Sequence, residues 1–244
     1  MAAGCIAPAE EAEELLRAAG GDRDRLDSFV ARRVEGEPLA WIVGSVEFCG
    51  LRIRVDPGVY VPRPHTEALA RRAAELLPPG GIAVDLCTGS GAVAAVMSAD
   101  RPRATVIATD VDALAVACSR RNGVEARLGD LDDPLPSSIE HEVDVMTAVT
   151  PYVPSEELHL LPCDVRAFEP LRALDGGPGG VEVLERVVHR SARWLRPGGA
   201  VLLEIGGDQA HDLTATLTAA GFSGIGVHRD ADGGDRAIEA RFGD

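Results

Sequence analysis

Apolar residues fall into two registers along this chain: some recur every three or four positions, others stand in short blocks or alternate with polar neighbours. Leu15 and Leu16, then Leu26, Phe29, Val30 and Val34, follow the first register, so 8–19 and 23–35 predict two helices parted by Gly20 and Gly21. Residues 45–56 alternate around Cys49–Gly50, the pattern of a β-hairpin. PRPHTEALARRAAELL (62–77) predicts a helix entered through proline, capped in the His65–Thr66 region and carrying Glu67 in its first turn. Apolar blocks at 82–86, 104–109, 124–128, 143–148, 199–205 and 222–228 then predict strands, with a last strand at 235–242. Helical patterns at 91–99, 112–122, 179–195 and 207–219 lie between most of them.

Strands alternating with helices predict an α/β protein with a mostly parallel, doubly wound sheet and right-handed crossovers. Ligands of such sheets sit beyond the carboxyl ends of the strands, where strand order reverses. The predicted strands end there on Asp85, Asp110, Asp130 and the segment 148–152. The connection 155–178 is long for a structureless loop, so it reads either as functional or as a proline-stiffened link.

The first strand runs directly into a glycine pair, in IAVDLCTGSG (82–91), and the second strand ends on Asp110. Glycines let a backbone approach a bound nucleoside closely, and a carboxylate on the next strand can accept from both ribose hydroxyls. NAD and S-adenosylmethionine both meet that description, and a turn whose glycines only relieve strain is the bland reading. Asp85 favours S-adenosylmethionine: it would lie close to a pyrophosphate, whereas it suits the positive amino end of a methionine moiety.

Composition narrows the classes. The 244 residues allow one large core with a small appendage, at 45% hydrophobic and 26% charged residues. Net charge is −15 and every basic residue is arginine, in pairs such as Arg32–Arg33, Arg71–Arg72 and Arg120–Arg121 that sit among acids on helical stretches. No basic stripe suited to nucleic acid is present, so no nucleic-acid partner is expected. No apolar run is long enough to cross a bilayer, and the N-terminus lacks the charge and apolar stretch of a leader; a cytoplasmic protein without a membrane partner is expected. Cys5, Cys49, Cys87, Cys118 and Cys163 are scattered and never in C-x-x-C spacing, and the histidines are dispersed, so neither a disulfide framework nor a metal is expected.

Several stretches in combination resemble the HemK/PrmC family of S-adenosylmethionine-dependent methyltransferases, which methylate the side-chain amide of a glutamine in translation release factors. The resemblance runs from roughly residue 30 to 208 and is carried by RRVEGEPLAWIVGSVEF (32–48), VPRPHTE (61–67), VDLCTGSGAV (84–93), ATDVDALAVACSRRN (108–122), GDLDDPL (129–135), FEPLRALDGGPGGVEVLERV (168–187) and LRPGGAVLLEIGGDQ (195–209). It implies a Rossmann-like class I methyltransferase fold, a seven-stranded sheet with one antiparallel strand. The domains it implies are a short N-terminal helical domain (1–44), a β-hairpin linker (45–61) and an S-adenosylmethionine-dependent methyltransferase domain (62–244). By position, Asp85, Thr88, Gly89 and Gly91 would line the methionine and ribose, Asp110 would hold the ribose hydroxyls, and Val111 would pack on adenine. Asp130 and Leu131 would sit at the adenine edge, although Asp130 also reads as a cap for the turn before Pro134.

One departure stands against these matches. The family signature Asn-Pro-Pro-Tyr is replaced by Val149-Thr150-Pro151-Tyr152. In the family the asparagine oxygen and the following backbone carbonyl accept the two N–H hydrogens of the substrate amide. Valine has no acceptor, while the Thr150 carbonyl remains and its hydroxyl could act from a different position. The sequence therefore predicts a methyltransferase with an altered acceptor site built around Val149, Thr150, Pro151 and Tyr152, acting on a small-molecule hydroxyl, amine or carbon. The alternatives are a release-factor glutamine methyltransferase of weak activity and a non-catalytic S-adenosylmethionine-binding protein. Glu169 and Asp175 either shape the acceptor pocket, or accept a proton if the nucleophile ionises, or are surface charge; His65, beside the cleft mouth, is the one histidine suited to act as a base and otherwise reads as a capping or surface residue.

Overall fold

The computed structural model describes residues 7–243, so the expectation for Cys5 lies outside the described residues. Two helices, α1 (Pro8–Ala19) and α2 (Arg23–Val34), are followed by a short α3 (Leu39–Val43) and the hairpin β1 (Ser45–Phe48) and β2 (Leu51–Arg54). The main body runs α4 (Thr66–Leu76), β3 (Ile82–Leu86), α5 (Ala92–Asp100), β4 (Thr105–Asp110), α6 (Ala113–Arg121), β5 (Glu125–Leu128) and β6 (Val143–Ala148). It continues through α7 (Cys163–Phe168), α8 (Glu182–Ser191), β7 (Leu195–Glu204), α9 (Gln209–Ala219), β8 (Phe222–Arg229) and β9 (Asp235–Phe242).

Seven strands form one sheet in the order β5-β4-β3-β6-β7-β9-β8. All neighbours from β5 to β7 are parallel, while β9 runs antiparallel to both β7 and β8. Chain order runs outward from β3 to β5 on one side and from β6 to β7 on the other. The reversal point, where ligands of such sheets bind, therefore lies between β3 and β6.

The central strands are apolar on both sides because helices cover both faces. Alternate residues sort cleanly between them. Val84, Leu86, Met146, Ala148, Val201 and Leu203 face a core completed by Leu184, Val187 and Val188 of α8 and Leu213 and Leu217 of α9. Ala83, Val145, Ala200 and Leu202 face the other core, with Leu69, Ala70 and Ala73 of α4 and Val93, Val96 and Met97 of α5. Each fully buried leucine of this kind contributes roughly 1.5–3 kcal/mol. The same alternation places the residues near the strand ends: the polar Asp85, Thr147 and Glu204, and the apolar Val149, all belong to the α4 side.

The N-terminal helices pack Leu15, Ala19 and Phe29 around Ile42 of α3. Asp22 caps α2, accepting from the Arg25 N–H at 3.1 Å. Arg33 ties this unit inward, with Glu11 at 2.7 Å and Asp164 of α7 at 3.9 Å. The arginine pairs meet acids as their helical setting suggested: Arg32 with Glu37, Arg71 with Glu67, Arg72 with Glu239, and Arg121 with Asp56.

Four expectations about elements change. The helix expected from Pro62 begins at Thr66, and neither His65 nor Thr66 caps it with a side chain. The helix expected over 179–195 is only Glu182–Ser191, because Gly179 and Gly180 take positive φ values that no helix continues. Strand β7 starts at Leu195 rather than 199, since Leu195 pairs with Val143 across a bulge. The connection 155–178 is not structureless: it holds a 3-10 turn at Ser155–Leu160, then α7, then another such turn at Leu171–Ala173. No helix among the described residues is long and apolar enough to cross a membrane.

Candidate active site

A cleft opens at the carboxyl ends of β3, β4 and β6. Asp85, Thr88, Gly89, Asp110, Val111, Asp130, Leu131, Val149, Thr150 and Pro151 all line it, so the sheet gathers ten of the twelve sequence-predicted residues. Gly91 and Tyr152 are not among the lining residues. The two glycines of the first turn differ in what surrounds them. Gly89 (φ +57°) has open space where a side chain would point, whereas a Cβ on Gly91 (φ +82°) would stand 2.5 Å from the Ser119 hydroxyl of α6. Gly89 keeps the cleft floor bare, and Gly91 lets the turn pack against α6.

Two carboxylates dominate the floor. Asp85 is almost fully buried and accepts from the Thr88 hydroxyl at 2.5 Å and the Thr147 hydroxyl at 2.6 Å. Burial pushes its carboxyl up to about 6, against the two hydroxyl hydrogen bonds that pull it down, with Asp110 nearby adding to the rise. Asp110 accepts from the Gly89 N–H and the Asp112 N–H, each at 2.9 Å, and burial outweighs these bonds to raise its carboxyl as well. A carboxylate offers about four acceptor sites, so two backbone donors leave Asp110 capacity for a ligand. Beside it Val111 is 62% exposed, an apolar side chain standing at the mouth without cover.

Asp130 forms an ion pair with Arg186 of α8, and Arg172 reaches Asp112 at 3.6 Å. Both arginines line the cleft, and the sequence reading missed them. Leu131 is buried with a positive φ of +49°. The neighbouring Asp132 is committed elsewhere: it accepts from the Trp194 indole N–H at 2.8 Å and from Arg190 at 2.6 Å.

On the acceptor side, Val149 packs onto the α4 core, and Thr150 Oγ1 is buried without a hydrogen-bond partner. Gln209 pins the corner at Tyr152: its Nε2 donates to the Tyr152 carbonyl at 2.8 Å and the Gly180 carbonyl at 3.1 Å, while its Oε1 accepts from the Gly206 N–H at 3.0 Å. Burial, with Tyr60 and Glu204 close by, holds the Tyr152 hydroxyl far above its ordinary value. Glu169 does not reach the cleft. It is buried and binds Arg63 at 2.6 Å and the Val61 N–H at 3.3 Å, fastening the 155–178 connection to the segment before α4. Asp175 also stays outside, held low by the Ser155 hydroxyl at 2.7 Å and the Gly177 N–H at 3.0 Å. His65 faces Glu204, with Nε2 at 3.3 Å from Oε1.

The donor set fits a nucleoside with a cationic tail: a buried carboxylate, a second carboxylate with acceptor capacity on the adjacent strand, a bare glycine between them and an uncovered apolar side chain. Residues 51–142 match the family model described as the methyltransferase small domain. The release factor glutamine methyltransferase of Geobacter sulfurreducens is 34% identical over 221 residues, covering 88% of this chain and 77% of that protein. The protein of the same name from Mycolicibacterium smegmatis is 36% identical over 250 residues, covering 94% and 86%. A solved methyltransferase from Pyrococcus furiosus superposes with a TM-score of 0.58 at 21% identity, over 80% of this chain and 90% of that one, a likeness of fold. Fold and sequence together define an S-adenosylmethionine-dependent methyltransferase. Within that class the chain belongs to the release factor glutamine methyltransferase family.

Proposed function

We propose that this protein transfers a methyl group to the side-chain amide nitrogen of a glutamine in a translation release factor, in the cytoplasm, more slowly than a site carrying asparagine at position 149 would allow. The observation that carries the reading is likeness along nearly the whole chain to proteins named for that reaction, together with a cleft whose Val149–Tyr152 corner stands beside the cofactor floor. The small-molecule acceptor expected from the sequence finds no support among these relatives.

The cofactor supplies an electrophilic methyl group on a sulfonium. In this reading Asp85 faces its positive amino end, Asp110 takes the ribose hydroxyls, Val111 packs on adenine, and Asp130 and Leu131 stand at the adenine edge. The protein's remaining task is to hold the acceptor nitrogen in line and to exclude water. An amide nitrogen is a weak nucleophile because its lone pair is delocalised into the carbonyl. Orienting its N–H groups toward fixed acceptors is therefore the main lever available. The Thr150 carbonyl provides one such acceptor, and Val149 provides none. Loss of one well-placed transition-state hydrogen bond costs about 10²–10³ in rate.

A second reading, transfer to a different acceptor, draws on the same Val149 side chain and on the unpartnered Thr150 hydroxyl. Incubation with methyl-labelled S-adenosylmethionine separates the two. Label in a purified release factor supports glutamine methylation. Label only in members of a small-molecule panel of hydroxyls, amines and activated carbons supports the second reading and overturns the first.

A further inference from the structure

Glu204 ends β7 and is 1% exposed, a carboxylate buried at the acceptor side that the cofactor floor does not use. The sheet register sets Ala148 beside Leu203, so the next positions along, Val149 and Glu204, are neighbours at the edge of the same face. Both lie on the α4 side, as the alternation of Leu202, Leu203 and Ile205 between the two cores requires. There Glu204 Oε2 accepts the Thr66 hydroxyl at 2.6 Å, while Oε1 faces His65. Thr66 opens α4 and lines the cleft together with Val149, Thr150 and Tyr60.

A threonine hydroxyl has one hydrogen and two lone pairs. Once its hydrogen is given to a buried carboxylate, the hydroxyl is an acceptor only, and the carboxylate fixes its direction. We propose that Thr66 Oγ1, held in this state by Glu204, is the hydrogen-bond acceptor that replaces the missing side chain at position 149 and receives one N–H of the substrate amide. Thr150 supplies the second acceptor through its backbone carbonyl. Thr66 is thus the group that meets substrate, and Glu204 is a positioning residue behind it. The inference rests on the glutamine reading and names the chemistry that lets it proceed without asparagine.

The test is a double-mutant cycle on the full chain, with a purified release factor as substrate and with thermal midpoint and S-adenosylmethionine affinity measured for each variant. Thr66→Val is expected to lower kcat about 10²-fold while leaving cofactor affinity within about twofold. Thr66→Ser, which keeps the hydroxyl, is expected to stay within about fivefold of the parent. Glu204→Gln, whose amide group can donate to the hydroxyl and turn it round, is expected to fall toward Thr66→Val. In a Val149→Asn background the asparagine restores an acceptor, and Thr66→Val is expected to cost less than about fivefold. Equal loss from Thr66→Val in both backgrounds, or no loss in the parent, overturns the inference and leaves glutamine methylation standing. Absence of any glutamine methylation by the parent overturns that reading, and this inference with it.

Discussion

Thr147 donates its hydroxyl to Asp85 across the two central strands, Oγ1 to Oδ1 at 2.6 Å, between residues that the parallel register places side by side. The bond ties the first strand of one half of the sheet to the first strand of the other, at the point where chain order reverses. Thr88 holds the second oxygen of Asp85 from the glycine turn, so the carboxylate is fixed on both sides before any ligand arrives.

That carboxylate carries a pH signature. Its folded-state value is raised from 3.8 to about 6, chiefly by burial. A raised acid binds its proton more tightly in the folded state, so its contribution to stability is fully present below the unfolded value and is lost as pH climbs to about 6. Asp85→Asn is therefore expected to raise the thermal midpoint of the ligand-free protein at about pH 8 and to leave it unchanged at about pH 4. With the amino end placed against Asp85 as proposed, cofactor binding runs the other way, because a cationic amine favours the ionised carboxylate. Calorimetric titration should show affinity for S-adenosylmethionine weakening by about tenfold per pH unit below the Asp85 value, and flat above it. Affinity independent of pH across that window would remove Asp85 from the methionine end.

Adjacent aspartates should separate by phenotype. Asp130 lines the cleft and meets Arg186, whereas Asp132 is buried against the Trp194 indole N–H and Arg190. Asp130→Ala is expected to weaken cofactor binding several-fold with little change in denaturation midpoint. Asp132→Ala strands a buried N–H and is expected to cost about 1–3 kcal/mol in urea unfolding, with cofactor affinity in the surviving folded protein unchanged.

Gly91 marks the packing limit of the turn between β3 and α5. Gly91→Ala adds a methyl group 2.5 Å from the Ser119 hydroxyl at a φ of +82°. Overpacking and strained backbone together predict a loss of about 2–4 kcal/mol in chemical denaturation. The double variant Gly91→Ala, Ser119→Gly removes the Ser119 contacts and should recover part of that loss, leaving the Val124 methyl at 3.1 Å and the backbone strain.

Period and composition made the sheet legible because its strands are local apolar blocks: 82–86, 143–148 and 235–242 coincide with β3, β6 and β9. Helix α3 escaped because five residues, Leu39–Val43, are too few to display a period. Cleft residues near strand ends can be read for the same local reason, since Asp110 ends β4 and Asp85 stands one residue before the end of β3. Arg186 could not, because its place at the mouth depends on how α8 packs, 56 residues beyond its partner Asp130. The sequence context of Thr66 fits a helix cap, but its hydroxyl binds Glu204, 138 residues away, which only the closed sheet brings near. Gln209 sat inside a recognised stretch, yet its grip on the Tyr152 corner follows from tertiary packing alone.

Residue-resolved mass spectrometry of a release factor, after timed incubation with S-adenosylmethionine and either the parent protein or Val149→Asn, tests the central claim most directly. The account predicts one methyl group on a glutamine amide nitrogen with both proteins, accumulating about 10-fold or more faster with Val149→Asn. Unmodified glutamines with both proteins, although each binds the methyl donor, would contradict it.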